Sequence, residues 1–236
     1  MYIYRLSEIG NKRTNNEDLI LIDDQVLSNE GIIEKQKDVL AVVADGMGGY
    51  EYGEMASKII LQTLKEDKPN TKDAINNSLI KARNLLEEFA IKNHTKLGSA
   101  IAGILKKDNK LITFNVGDCR VYRILFGSPI QLSKDHTVIQ EMVDEGLISK
   151  DDARVDKRRN ALTSAIISDK KEFDIFFNEI NFLQNDKIVI CSDGFWEEFE
   201  DNFTDIFNSE KPIEKAKEFA KDKVLKDNFS FIFIKA

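Results

Sequence analysis

Apolar residues in this chain come in short runs closed by polar punctuation. The runs Leu19–Ile22, Val39–Ala44, Ser99–Leu105, Leu111–Val116, Arg120–Leu125, Phe173–Phe177, Lys187–Ser192 and Phe229–Ile234 are rich in β-branched and aromatic residues, and Gly, Asn, Asp or Lys bounds them. That pattern predicts strands. Between two of them, Lys107–Leu111 (KDNKL) reads as a hairpin turn. Four other stretches repeat at helical spacing. One starts near Gly53 and carries Met55, Ile59, Ile60 and Leu64; the next starts near Thr71 and puts Ile75, Leu79, Ala82, Leu86 and Phe89 on one face. Thr137–Gly146 and Ile213–Leu225 complete the set. Strands in runs with paired helices between them predict an α+β layout of mainly antiparallel sheets, not a doubly wound one. The three prolines are scattered and no repeat or linker is visible, so a single domain over 1–236 is expected.

Composition narrows the chemistry. The chain has 236 residues, 42% hydrophobic and 32% charged, enough to bury a core without disulfides. A net charge of -7 argues against a nucleic-acid partner, because neutralising phosphates needs a basic surface. Two cysteines, Cys119 and Cys191, make no disulfide framework and point to a reducing, cytoplasmic setting. No run is apolar enough to span a bilayer and no secretory leader is read, so no membrane partner is expected. Two histidines, His94 and His136, cannot build a three-histidine zinc site.

Acids gather where strands end. Glu17 and Asp18 stand just before one strand, Asp45 closes another in VVADGMGG, and Asp118 sits in the turn of NVGDCRVY. Asp193 follows the strand of IVICSDGFW, and Asp227 precedes the last strand. A lone Asp-Gly after a strand is most often a turn. Several acids converging at one end of a sheet are different, because they raise one another's pKa unless a cation lies between them. Many hard oxygen donors with almost no histidine and no cysteine pair suit Mg²⁺ or Mn²⁺. Glycine after Asp45 and after Asp193 lets the backbone come close, and the Gly46 carbonyl is itself a candidate donor. Arg13, just ahead of the first acid pair, reads either as a surface residue or as a fork for a phosphate.

In chain order, RTNNED, VVADGMGGYEYGEMAS, LGSAIAG, NVGDCRVY, LSKDHTVIQEMVDEGLIS, RRNALTSAI, ICSDGFWE and KDNFSFIFI resemble the motifs of the type 2C metal-dependent Ser/Thr protein phosphatases in their compact bacterial form. Each motif is unspecific alone; eight in order are specific. The resemblance implies a four-layer α-β-β-α sandwich, two mainly antiparallel sheets with helices on both outer sides, and a flap over roughly residues 133–170. It implies that Asp45 bridges two Mn²⁺ or Mg²⁺ ions, that Gly46 gives one of them a carbonyl, and that Asp193 and Asp227 hold the other. Asp18 and Glu17 would bind directly or through metal waters, with Asn228 in support. Asp118 with Asp193 would hold a third, weaker ion, and Arg13 would take the substrate phosphate. The implied activity is hydrolysis of phosphoserine and phosphothreonine in proteins by a metal-activated water, without a phosphoenzyme, by a monomer opposing a Ser/Thr kinase.

Departures from the motifs are few. Met47 follows Gly46 where some relatives have a histidine, so the leaving group must take its proton elsewhere. Cys119 replaces a serine, Ser230 a threonine, and Ser164 an arginine at the flap, where substrate choice is at stake. No proposed ligand is lost, which weighs against the alternative of a catalytically silent regulator that binds a kinase or phosphoprotein. Cysteine-phosphatase chemistry fails, since neither cysteine has an arginine six positions on. Asp135-His136 lacks the serine elbow of a triad, so His136 is read as a flap residue with a structural or substrate-side role. Phe195, Trp196 and the alternating Phe229, Phe231 and Phe233 read as core.

Overall fold

The computed structural model describes residues 1–35, 37–47 and 52–236. Gly48 and Gly49, expected to keep the backbone bare beside the acids, lie outside the described residues. Among the described residues, thirteen strands form two antiparallel sheets. The first sheet has the order β4 (Gly31–Glu34), β1 (Tyr2–Glu8), β13 (Phe229–Lys235), β12 (Lys187–Cys191), β8 (Arg120–Leu125), β9 (Ser128–Gln131). The second runs β11 (Phe176–Asn181), β7 (Lys110–Val116), β6 (Gly98–Lys107), β5 (Val39–Gly46), β2 (Asp18–Ile22), β3 (Gln25–Leu27), with the short β10 (Ile166–Ile167) paired to the start of β6. Helices α1 (Gly53–Asp67) and α2 (Lys72–Asn93) cover the second sheet, and α5 (Asp193–Phe199), α6 (Phe203–Asn208) and α7 (Pro212–Ala220) cover the first. The flap region carries α3 (Val138–Asp144) and α4 (Lys150–Val155).

Period-two alternation explains the layers. Along β5, Val39, Ala41 and Val43 face the other sheet, whereas Leu40, Val42 and Ala44 face α1 and α2. Along β13, Ile232 and Ile234 fill the space between the sheets, and Phe229, Phe231 and Phe233 pack into an aromatic cluster with Phe195, Phe199 and Phe207 under α5 and α6. Three apolar layers thus separate four layers of backbone, the α-β-β-α sandwich expected. The Lys107–Leu111 hairpin is present, with Lys107 opposite Lys110 and Asp108 taking the left-handed conformation (φ 51°). Among the described residues no helix is long and apolar enough to cross a membrane.

Candidate active site

The fold brings the acids to one end of the sandwich. Antiparallel register sets Asp18 of β2 directly opposite Asp45 of β5. Asp193 is the first residue of α5, delivered by β12, while Asp227 stands two residues before β13, the neighbour of β12. Asp118 occupies the turn by which β7 of the second sheet passes to β8 of the first. Asp18 is fully buried and Asp118 nearly so.

Burial and mutual repulsion govern the charge here. Burial, with Asp193 and Asp227 adding repulsion, pushes the Asp18 carboxyl from an ordinary 3.8 up to about 7. Burial also drives Asp45 upward, reinforced by Asp18 and Asp193, and Asp118, reinforced by Asp193 and Asp135. Asp193 is raised for the same first cause. The contact between the Asp45 and Asp193 carboxyl groups raises Asp45 further and holds Asp193 down. One oxygen of Asp18 and one of Asp193 are buried with no hydrogen-bond partner. Buried polar atoms are normally paired, and orphaned carboxylate oxygens aimed into a group of acids are what a divalent cation would satisfy. Among the described residues, no three acid, histidine or cysteine side chains already stand gathered in a metal-holding arrangement. The contacts explain this: Asp227 is turned to Arg13 at 2.7 Å, Asp18 accepts from the Ser192 hydroxyl at 2.8 Å, and Asp45 leans on Asp193. The acids lean on protein donors instead, and the all-oxygen donor set fits Mg²⁺ or Mn²⁺.

The surroundings hold these side chains from behind. Asn228 accepts from the Glu17 backbone N–H at 2.9 Å and donates to the carbonyls of Ile9 and Asn15, tying the first acid pair to Asp227. Glu17, its carboxyl raised chiefly by burial, accepts a hydrogen bond from the Gly53 N–H at the head of α1. Arg13 is half-exposed, and the Asp227 hydrogen bond strengthens its hold on its proton. Ser192 gives its hydroxyl proton to Asp18 and accepts from the Ser230 N–H at 3.0 Å. Sequence reasoning passed over Ser192, although a serine between a strand and an Asp-Gly helix start is a capping signal. It also read Trp196 as core alone; its indole N–H donates to the Asp118 carbonyl at 2.9 Å. Ser164, where the motif has arginine, is buried and accepts from the Asp174 N–H at 2.8 Å. His136 is no free acid: its Nδ1 accepts from the Gly117 N–H at 3.1 Å, and burial lowers its pKa. Burial pushes both thiols, Cys119 and Cys191, far from ionisation, so neither is a nucleophile.

An acid group at one end of a two-sheet sandwich, with an arginine at its edge, makes a site suited to a divalent cation and an anionic substrate. The chain belongs to the protein phosphatase 2C family, whose model matches residues 2–142. It is 28% identical over 198 residues to the serine/threonine phosphatase stp of Listeria innocua, covering 78% of this chain and 74% of that protein. Its fold superposes on the PPM Ser-Thr phosphatase MsPP of Mycobacterium smegmatis, solved with cacodylate, at a TM-score of 0.82, with 25% identity and coverage of 98% and 97%. It likewise matches the catalytic domain of the serine/threonine protein phosphatase PstP in complex with two manganese ions, with a TM-score of 0.77, 23% identity and coverage of 99% and 98%.

Proposed function

We propose that this chain hydrolyses phosphoserine and phosphothreonine esters in proteins with two divalent cations, Mn²⁺ or Mg²⁺, and opposes a Ser/Thr kinase. The observation that carries the reading is the group Asp18, Asp45, Asp118 and Asp193, raised by burial and carrying two orphaned oxygens. Asp45, the Gly46 carbonyl, Asp193 and Asp227 would hold the pair of ions, with Asp18 and Glu17 beside them. Asp118 with Asp193 would hold a third. The two manganese ions in the PstP structure support the pair, not the third. Bound there, such ions acidify water toward neutrality and neutralise phosphate oxygens.

The chain's own residues divide the remaining work. Arg13 rests on Asp227, and its guanidinium fork would offer two donors to phosphate oxygens and offset charge that grows in the transition state. With Asp18, Asp45 and Asp118 raised, uptake of a cation by these acids would release protons. Residues 133–170 would form a flap over the site. Flap residue Arg159 meets Glu197 of α5 at 3.1 Å, and Arg154 meets Asp201 at 3.2 Å. Ser164, turned inward to Asp174, leaves these outward arginines to meet a substrate protein.

The test is Mn²⁺-dependent release of phosphate from a phosphothreonine peptide, with Asp193→Asn beside the wild type. The expected result is metal-dependent turnover that falls by at least about 100-fold in the variant. A wild type that neither binds Mn²⁺ by calorimetry nor releases phosphate would overturn the reading.

A further inference from the structure

Asp118 lies in a turn that the base of the flap grips from several sides. Gly117 takes φ 92°, and its Cα packs so closely on Ala100 that an added Cβ would meet that side chain at 2.6 Å. The Gly117 N–H donates to His136 Nδ1 at 3.1 Å, and the Gly117 carbonyl accepts from the His136 N–H at 3.0 Å. Asn115 joins the same two segments by donating to the carbonyls of Gly117 and Lys134. On the other side of Asp118, Trp196 donates to its carbonyl. The indole is in turn held flat by Arg120, whose guanidinium carbon lies 3.4 Å from the ring centre. Arg120 is forked onto Asp135, with Nε 3.0 Å from both carboxylate oxygens and an Nη at 2.6 Å. Gln131 donates to Asp135 at 2.8 Å, and Tyr122 and Glu200 complete the Arg120 shell.

This pairing is not explained by stability. Arg120 and Asp135 are both largely buried, and a buried ion pair gains little over well-packed apolar residues of the same size. What the pair does supply is orientation: a planar fork fixes the indole, and the indole N–H fixes a peptide. Those contacts end on the two peptides that set the direction of the Asp118 carboxylate.

We infer that Asp135, His136, Arg120 and Trp196 are positioning residues that act on the reaction through Asp118, a clamp by which the flap base sets how firmly that carboxylate holds its cation. The inference rests on the reading of Asp118 as a ligand of the third ion. Outer partners of metal ligands commonly govern affinity by about 10-fold to 100-fold.

The test compares the wild type with Trp196→Phe, which keeps an aromatic ring under Arg120 and removes the N–H together with the five-membered ring, with His136→Leu, and with His136→Asn, which restores an acceptor at the Nδ1 position. Circular dichroism first establishes that each variant folds. Mn²⁺ is then titrated by calorimetry, and phosphopeptide turnover is followed against Mn²⁺ concentration. The expected result is that Trp196→Phe and His136→Leu weaken the weakest Mn²⁺-binding step by about 10-fold or more, raise the Mn²⁺ needed for half-maximal rate by the same factor, and leave KM for the peptide within about twofold. His136→Asn recovers most of the lost affinity. Should His136→Leu fail to fold, Trp196→Phe decides alone. Folded variants that titrate like an active wild type overturn the inference and leave the phosphatase reading standing. A wild type with two binding steps and no weaker third removes Asp118 from the ligands and overturns the inference, again without touching the activity. A wild type that binds no Mn²⁺ and releases no phosphate overturns both.

Discussion

Asp45 ends a buried strand on a carboxylate because register puts it opposite Asp18, at the end of the sandwich where β2, β5, β12 and β13 deliver acids together. The bare backbone at the next residue has a protein cause as well as the one the motif suggested. A Cβ on Gly46 would lie 2.3 Å from the Gly53 carbonyl oxygen and 2.9 Å from that of Glu17. Both are backbone atoms and cannot swing away, so Gly46→Ala must displace the head of α1. The expected loss is about 1–3 kcal/mol of stability, read as a lower melting temperature with activity reduced alongside it. An unchanged melting temperature would show that Gly53 yields freely.

Elements were legible where burial was one-sided and periodic. Helices α1 and α2 were predicted with near-correct starts, since their apolar stripes recur every three to four residues and Thr71 caps the second by accepting from the Ala74 N–H at 3.2 Å. Thr71→Ala should lower the denaturant midpoint by the equivalent of about 1 kcal/mol and leave turnover unchanged, because the cap lies on the outer helical layer, away from the acids. Strand β1 was missed: its inner face offers Ile3 but then Arg5 and Ser7, so no apolar run announces it, and the ladder to β13 makes it a strand. Strand β11 was expected at Phe173–Phe177 and lies at Phe176–Asn181. Phe173 and Ile175 do pack on the core, but the pairing with β7 starts at Phe176 and runs on through the polar Asn178, Glu179 and Asn181, because an edge strand is chosen by hydrogen bonding and need not be apolar. The last helix was expected to reach Leu225 and ends at Ala220; the Leu225 carbonyl is taken instead by the Asn11 N–H.

At the scale of the whole molecule the acid group makes the metal-free fold sensitive to pH. Asp18 titrates near 3.8 in an unfolded chain and at about 7 in the fold. Between those values the fold binds the proton and the unfolded chain has lost it, so stability falls as pH rises through the window, by up to about 1.4 kcal/mol per pH unit for each such group. Asp45, Asp118 and Asp193 are raised by burial and act in the same direction. The exposed acids with lowered values, Asp67, Asp144 and Asp156, lose their contribution only at pH below about 4, outside this window. The melting temperature in chelator should therefore fall between about pH 5 and pH 8, and added Mn²⁺ should flatten or reverse that slope. A flat profile in chelator would mean that these carboxylates are not held protonated.

Sequence by itself determined that short strands and paired helices build an α+β layout of mainly antiparallel sheets, and it determined which acids stand at strand ends, since periodicity and motif order are local information. Only the tertiary structure decided which of these groups meet. Register placed Asp18 against Asp45, the sheet-to-sheet turn brought Asp118 to Trp196 and His136, and the neighbouring β12 and β13 let Ser192 reach both Asp18 and Ser230. The physical reason is range. Propensity and periodicity act over a few residues, whereas Arg120 and Asp135 are 15 apart in sequence, Trp196 and Asp118 are 78 apart, and Ser192 and Asp18 are 174 apart, contacts that only the packed sandwich creates.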